Sequence, residues 1–221
     1  MNRSAAVLAA SVLALGLAAA TYVSARREVA DLRAKLERSN SKLPYHVHSD
    51  IRLAIIRSQI QRMDRPIVVL GDSIVEMAIL PATLCGRPVL NAGIGGAGIR
   101  FLTDHIDRIL AGTEPSLIVV SIGVNEIIPR TSLANFKDLY DDLRSAIRHP
   151  AIYGTVTPLD DFDVAPYNEI IRQSGPNTFE LVSDGKTADG AHLTPDGYAS
   201  WTAALTRGVA AVCDTTESEK P

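Results

Sequence analysis

The sequence predicts one α/β domain in which helices cover both faces of a parallel β-sheet. Two observations carry this prediction: short apolar runs alternate with longer segments of helical periodicity, and a polar or glycine-rich stretch follows most of the runs. Strands separated by helices pair in parallel, because a parallel neighbour is reached only by crossing the sheet. We therefore expect a three-layer α/β/α sandwich with a five-stranded parallel sheet, preceded by an N-terminal hydrophobic helix.

The N-terminal region differs from the rest of the chain. Residues 5–23 are apolar, alanine-rich and flanked by arginines, and a helix of this length just crosses a hydrocarbon core of about 30 Å. Residues 1–25 therefore form either a signal peptide, which the small residues at 18–20 favour, or a membrane anchor. Helical spacing continues through 26–43, an amphipathic helix and linker, and favours the anchor.

The basic residues that follow the apolar run would keep the domain in the cytoplasm by the positive-inside rule. A Sec-type N-terminus favours the opposite orientation. We expect an anchored protein whose domain lies in the periplasm, with secretion after signal cleavage as the alternative.

The α/β domain is predicted to span residues 44–213, ahead of a polar, disordered tail at 214–221. Ser49 and Asp50 are expected to cap a first helix that ends before Pro66. The predicted strands are Ile67–Leu70, Pro88–Leu90, Leu117–Ile122, Ile152–Val156 and Phe179–Val182. The helices predicted between and after them are Ile74–Leu80, Gly98–Leu110, Leu133–Arg148, Ala165–Gln173 and Pro195–Val212.

Composition argues against several classes of function. The formal net charge is -3, and no stripe of basic residues alternates with aromatic ones, so nucleic acid is a poor partner. Cys85 and Cys213 form either one disulfide in an oxidising compartment or two buried thiols. His46 and His48 have no third ligand nearby and are expected to be solvated loop residues, so no metal or cofactor is expected.

The first candidate functional stretch follows the first strand, where Gly71, Asp72 and Ser73 break the apolar run. A serine at the carboxyl end of a strand lies at the edge where an open parallel sheet binds ligands. Asp72 and Ser73 are also good caps for the next helix. Catalysis and capping both fit this stretch taken alone.

The second stretch is a glycine-rich turn at 91–98, whose backbone N–H groups are suited to an anion. Gly93, Gly95 and Gly98 also satisfy the dinucleotide-binding pattern. The acidic residue expected about 20 positions later, at the end of the next strand, is missing, which makes a nicotinamide enzyme a remote alternative.

Two more polar stretches lie at the same predicted edge. Asn125 follows the third strand, where it either aims its amide into the crevice or takes a left-handed turn position. Asp189 and His192 precede the last helix. An aspartate and a histidine three residues apart can meet on one side of a turn, so that the carboxylate holds one ring nitrogen while the other faces a nucleophile.

Together the four stretches resemble the blocks of the SGNH hydrolases, also called GDSL esterases and lipases, of the bacterial kind that carries an N-terminal signal or anchor segment. The matching blocks, in the family's order, are Gly71-Asp72-Ser73, the Asn-x-Gly-x-Gly-Gly turn beginning at Asn91, Gly123-x-Asn125-Glu126 and Asp189-x-x-His192. The resemblance spans roughly residues 66–212. It implies a flavodoxin-like sheet of strand order 2-1-3-4-5.

The resemblance also implies a role for each residue. Ser73 is expected to be the nucleophile, His192 its base and Asp189 the residue that orients the imidazole. The N–H groups of Ser73 and Gly96 and the amide of Asn125 are expected to hold the oxyanion.

The implied function is a serine esterase that cleaves a short acyl ester, such as an O-acetyl group on a carbohydrate or other alcohol. The expected partner is therefore a small-molecule or glycan ester. Three alternatives remain open: an O-acyltransferase with the same triad, a lysophospholipase or thioesterase, and an inactive interaction module tethered to the membrane. The sequence leaves the oligomeric state open.

Overall fold

The computed structural model describes residues 44–175, 177–183 and 185–218, together with residues 16, 18, 19, 21–32 and 35. The chain divides into two compact units, Met1–Val47 and His48–Pro221. In the first unit, residues 21–32 are helical. Among the described residues, no helix combines the length and the hydropathy that crossing a bilayer requires. The signal or anchor segment predicted for 1–25 lies mostly outside the described residues.

The rest of the described chain is a β-sheet flanked by helices. Its strands are β1 (Ile67–Gly71), β2 (Thr83–Leu84), β3 (Arg87–Gly93), β4 (Leu117–Ser121), β5 (Ala151–Gly154) and β6 (Thr178–Phe179). Its helices are α1 (Pro44–Ile60), α2 (Ser73–Met77), α3 (Ile99–Leu110), α4 (Val124–Ile127), α5 (Leu133–Ala146), α6 (Ala165–Gln173) and α7 (Pro195–Ser218).

The strand order confirms the predicted α/β fold and extends it. The described strands are arranged β2-β3-β1-β4-β5-β6, and all pairs except β2 with β3 are parallel. Without β2 this is the order 2-1-3-4-5. The prediction missed β2 because the strand has only two residues and pairs through a tight turn at Cys85 and Gly86, both of which have positive φ.

The central strands of the sheet are continuous apolar runs, and helices cover them on both faces. Every residue of β1 and β4 is buried, as expected for strands covered on both faces. Their register pairs Val69 with Val119 at the middle of the sheet. Burying one such side chain contributes about 1.5–3 kcal/mol. Trp201, on α7, has no exposed surface and belongs to this core.

The first helix differs from the prediction at its N-terminal end. α1 begins at Pro44, so Ser49 and Asp50 lie inside the helix rather than at its cap. Ser49 is buried. His48 lies on the same helix, and its side chain contacts Glu76. The expected loop position of His48 is therefore wrong, whereas its half-exposed side chain agrees with the expected solvation.

The last helix reaches beyond the predicted domain. α7 runs to Ser218, five residues into the segment 214–221 for which disorder was expected, and 219–221 lie outside the described residues. Cys213, near the end of α7, forms a disulfide with Cys85, and the two Cα atoms are 6.3 Å apart. Of the two interpretations of these cysteines, the disulfide is the one found.

Candidate active site

The first block places its serine at the carboxyl end of β1. The strand ends at Gly71 and α2 begins at Ser73. Asp72, between them, caps the helix: its Oδ1 accepts a hydrogen bond from the Ile74 N–H at 2.9 Å. Capping therefore belongs to Asp72, and the Ser73 hydroxyl is hydrogen-bonded to the His192 imidazole instead.

The structure brings Ser73, His192 and Asp189 into one chain of hydrogen bonds. Ser73 Oγ lies 2.9 Å from His192 Nε2, although 119 positions separate the two residues. Asp189 Oδ2 lies 2.7 Å from His192 Nδ1. An ionised carboxylate can only accept, so the hydrogen sits on Nδ1, and Nε2 is left to accept the serine hydrogen. This arrangement can activate the hydroxyl as a nucleophile.

The Asp189–His192 turn is fixed by its own backbone. Asp189 Oδ1 accepts the N–H of His192 at 2.9 Å and that of Ala191 at 3.2 Å. The Ala188 N–H donates to the His192 carbonyl at 2.7 Å. The backbone hydrogen bond from His192, followed by the bond from its ring, lowers the pKa of Asp189 to about 2. The carboxylate is therefore ionised at neutral pH and can stabilise a charged imidazole.

The glycine block forms a tight turn after β3. The Ala97 N–H donates to the Ile94 carbonyl at 3.0 Å, and Gly96 has a φ of 76°, a left-handed conformation that favours glycine. A Cβ at Gly93 would lie 2.2 Å from the backbone nitrogen of Glu76, so only glycine lets α2 pack this closely. The Gly96 N–H has no acceptor among the described residues and is available to an anion.

The asparagine block supplies a second donor beside this turn. Asn125 lies in α4, and its Nδ2 donates to the Ala97 carbonyl at 2.9 Å. An amide nitrogen carries two hydrogens, so one remains for a ligand. The Ser73 N–H, first in α2, has no acceptor within the helix. Because β1 lies between β3 and β4, the glycine block and the asparagine block follow the strands on either side of the one that ends before Ser73.

Two buried carboxyl groups lie beneath these donors. Glu126 Oε1 accepts the Ile99 N–H at 2.7 Å and so holds the start of α3, which follows the glycine turn. Burial raises the pKa of Glu126, the hydrogen bond from Ile99 lowers it and the charge of Asp72 raises it, with a net value of about 7. Burial likewise raises the pKa of Asp72 to about 6. Asp72 Oδ2 and Glu126 Oε2 have no partner in the described part of the chain.

Glu126 is expected to make the folding stability depend on pH. Its folded pKa of about 7 lies above the ordinary 4.5, so between these values the folded protein keeps a proton that the unfolded chain has released. Stability therefore falls as the pH rises through this window. Glu126→Gln removes the ionisation and keeps an oxygen for the Ile99 N–H. We expect the variant to gain about 3 kcal/mol over the parent at pH 8 and less than about 1 kcal/mol at pH 5.

Urea unfolding at the two pH values measures this difference. Folding also raises the pKa of Asp72, which remains in the variant. The free energy of unfolding should therefore still fall with rising pH in Glu126→Gln, but less steeply than in the parent. Equal pH dependence in the parent and Glu126→Gln would contradict the burial argument.

Sequence reasoning did not identify the acceptors that hold the glycine turn. Glu126 belongs to the asparagine block, which assigns it no role of its own, and Glu76 lies outside the four blocks. Glu76 lies three residues after Ser73, within one helical turn of it, and this spacing is the signal that could have drawn attention to it.

An open groove of about 760 Å³ is lined by residues of α2 and α7 and by Ile79, and none of the residues Ser73, Asp189 and His192 lines it. Its lining is mostly apolar and includes Met77, one turn after Ser73, and Tyr198, early in α7. Burial raises the pKa of Tyr198 to about 12, and the charges of Asp72 and Asp189 add to the rise, as expected for a phenol close to the triad. The groove can receive an apolar part of a ligand.

No protein-family model and no curated protein sequence matches the chain. Several solved structures are nevertheless similar. A Streptococcus pneumonia protein whose description refers to a platelet activating factor aligns with a TM-score of 0.61 at 18% identity, over 81% of this chain and 99% of that one.

Two further solved structures align across nearly their whole length. An acetyl xylan esterase from Geobacillus stearothermophilus gives a TM-score of 0.54 at 15% identity, over 67% of this chain and 96% of that one. A lipase/acylhydrolase from Enterococcus faecalis gives a TM-score of 0.52 at 18% identity, over 66% of this chain and 96% of that one. At these identities the likeness concerns the backbone: the chain has the fold of solved acylhydrolases and acetyl xylan esterases.

Proposed function

We propose that this chain is a serine esterase of the SGNH type that hydrolyses a carboxylic ester. The observation that carries the proposal is the chain of hydrogen bonds from Ser73 Oγ through His192 to Asp189, at 2.9 and 2.7 Å. The fold shared with solved acylhydrolases and esterases supports it.

The reaction follows from the positions of these groups. Ser73 Oγ attacks the ester carbonyl carbon while His192 Nε2 takes its proton, and the N–H groups of Ser73 and Gly96 with the Asn125 amide hold the resulting oxyanion. The intermediate collapses when His192 returns the proton to the leaving alcohol. A water molecule, deprotonated by His192, then attacks the acyl-enzyme. The bond from Ser73 Oγ to the acyl carbon breaks, His192 returns the proton to Oγ, and the acid is released. Asp189 stabilises the charged imidazole in both halves.

We infer that the natural acyl group is short, such as an acetyl group on a carbohydrate or other alcohol. An acetyl xylan esterase is among the solved structures with this fold. The apolar groove lined by Met77 and Tyr198 favours a second candidate, cleavage of an ester or thioester with a longer apolar chain, such as a lysophospholipid.

We also propose that the domain works outside the cytoplasm. The disulfide between Cys85 and Cys213 supports this location, because such bonds persist in oxidising compartments. The apolar N-terminal sequence provides either a signal or an anchor for export.

An ester panel combined with active-site labelling tests the proposal. The full chain is assayed on p-nitrophenyl acetate, butyrate, octanoate and laurate, and a fluorophosphonate probe is mapped by peptide mass. We expect labelling at Ser73 and the highest kcat/KM for acetate or butyrate. Labelling at Ser73 with a maximum at octanoate or laurate supports the second candidate. A folded chain that neither cleaves the panel nor reacts at Ser73 contradicts the proposal.

A further inference from the structure

Glu76 lies behind the glycine turn and contacts it directly. It belongs to α2, and its Oε2 accepts a hydrogen bond from the Gly95 N–H. The same oxygen lies 2.9 Å from His48 Nε2, and Oε1 lies 3.4 Å from Arg52 Nε. The Glu76 side chain is only 19% exposed. One carboxylate therefore receives a backbone N–H of the turn and two side chains of α1.

The hydrogen bonds of the turn leave one donor unused. The Ile94 N–H donates to the Gly71 carbonyl and the Ala97 N–H to the Ile94 carbonyl, each at 3.0 Å. The Gly95 N–H donates to Glu76. The Gly96 N–H alone among these four has no acceptor within the described residues. Fixing its neighbours fixes the direction in which this N–H points.

Arg52 connects the same carboxylate to the end of β3. Its Nε donates to the Gly93 carbonyl at 3.0 Å and its Nη2 to the Asn91 carbonyl at 3.2 Å. The Asn91 Nδ2 in turn donates to the Val75 carbonyl, in α2, at 2.7 Å. Hydrogen bonds through Arg52 and Asn91 thus connect α1 to β3 and β3 to α2.

We propose that Glu76, held by Arg52 and His48, is a positioning residue that sets the Gly95–Gly96 turn so that the Gly96 N–H faces the oxyanion. A charged acceptor holds a backbone N–H more strongly than a neutral one does. Donors stabilise a transition state only when they are fixed at the place where the charge develops. α1, which lies outside the four sequence blocks, thereby contributes to catalysis. The inference rests on the proposed esterase function.

The test separates positioning from simple stabilisation of the fold. Glu76→Gln keeps the shape of the side chain and removes its charge. We expect kcat on p-nitrophenyl acetate to fall about 10-fold with KM changed less than about twofold, because the lost interaction acts in the transition state. Phenylboronic acid adds to Ser73 and places an oxygen in the oxyanion site, so its affinity should fall by a similar factor.

Two further variants keep the result independent of folding. His48→Ala removes a half-exposed side chain and should lower kcat about threefold, with unchanged melting temperature. Asp141→Asn breaks an exposed ion pair with Lys137 on α5 and should leave kcat and boronate affinity at parent values. Asn125→Ala removes a proposed oxyanion donor, and its kcat is expected to fall on the order of 100-fold.

The outcomes distinguish the two hypotheses. If the parent is active and Glu76→Gln keeps parental kcat and boronate affinity, or loses only thermal stability, the positioning role is wrong and the esterase proposal stands. If the folded parent is inactive and Ser73 is not labelled, both are wrong. Parallel losses of kcat and boronate affinity in Glu76→Gln and His48→Ala support the proposal.

Discussion

Ser73→Ala is expected to lower kcat/KM for ester hydrolysis on the order of 10,000-fold or more and to leave the fold intact. In the proposed mechanism the oxygen that is removed forms the bond to the acyl carbon, and no other hydroxyl of the described residues is hydrogen-bonded to His192 Nε2. The remaining donors at Gly96 and Asn125 can still polarise a carbonyl, so some residual rate above that in water is expected. The half-buried serine is replaced by a smaller side chain, so the substitution introduces no steric clash.

The matched control is Ser145→Ala, the same chemical change on the exposed side of α5. Ser145 Oγ donates to the Asp141 carbonyl within its own helix and has no contact with the triad. The activity of Ser145→Ala should equal that of the parent. The free energies of unfolding of both variants should lie within about 0.5 kcal/mol of the parental value. A folded Ser73→Ala protein that turned over p-nitrophenyl acetate at the parental rate would refute the triad.

Removing the disulfide is expected to cost about 3–5 kcal/mol of folding stability. Cys85 and Cys213 are 128 positions apart, so the bond closes a long loop in the unfolded chain and lowers its entropy. Cys85 lies in the turn between β2 and β3, and Cys213 lies near the C-terminal end of α7. The double variant Cys85→Ser/Cys213→Ser should therefore unfold at lower urea concentration, which equilibrium unfolding followed by circular dichroism measures.

Reduction provides the control for this prediction. Dithiothreitol should shift the parent toward the urea midpoint of the double variant and leave the variant unchanged. Activity at 25 °C should remain within about twofold of the parent, because neither cysteine belongs to the triad or supplies one of the proposed oxyanion donors. A double variant as stable as the oxidised parent would contradict the prediction. It would mean that the disulfide destabilises the folded state by as much as it destabilises the unfolded chain.

The centre of the fold is predictable because its residues follow simple patterns. β1 and β4 are continuous apolar runs, and such runs mark strands buried on both faces. The four sequence blocks also follow or precede elements whose ends meet at one sheet edge. Ser73 and His192, far apart in sequence, therefore lie at hydrogen-bond distance, as the prediction required. The roles of these residues remain a proposal.

The support of the site was not predictable from local patterns. Glu76, Arg52 and Gly95 meet only because α1 packs beside the end of β3, and no periodicity in α1 encodes that contact. β2 has two residues, fewer than any pattern of alternation needs to be recognised. The choice between a disulfide and two thiols at Cys85 depended on a distance that the sequence does not contain.

The hydrogen bond from Asn125 Nδ2 to the Ala97 carbonyl has a consequence for mutational analysis of the oxyanion site. Asn125→Ala removes a contact at Ala97, and Glu76→Gln weakens a contact at Gly95. Both substitutions therefore disturb the same glycine turn. Their effects on the rate should not multiply in a double variant. The rate lost on a single substitution therefore includes the displacement of the neighbouring donor. It overstates the transition-state stabilisation that the substituted group itself provides.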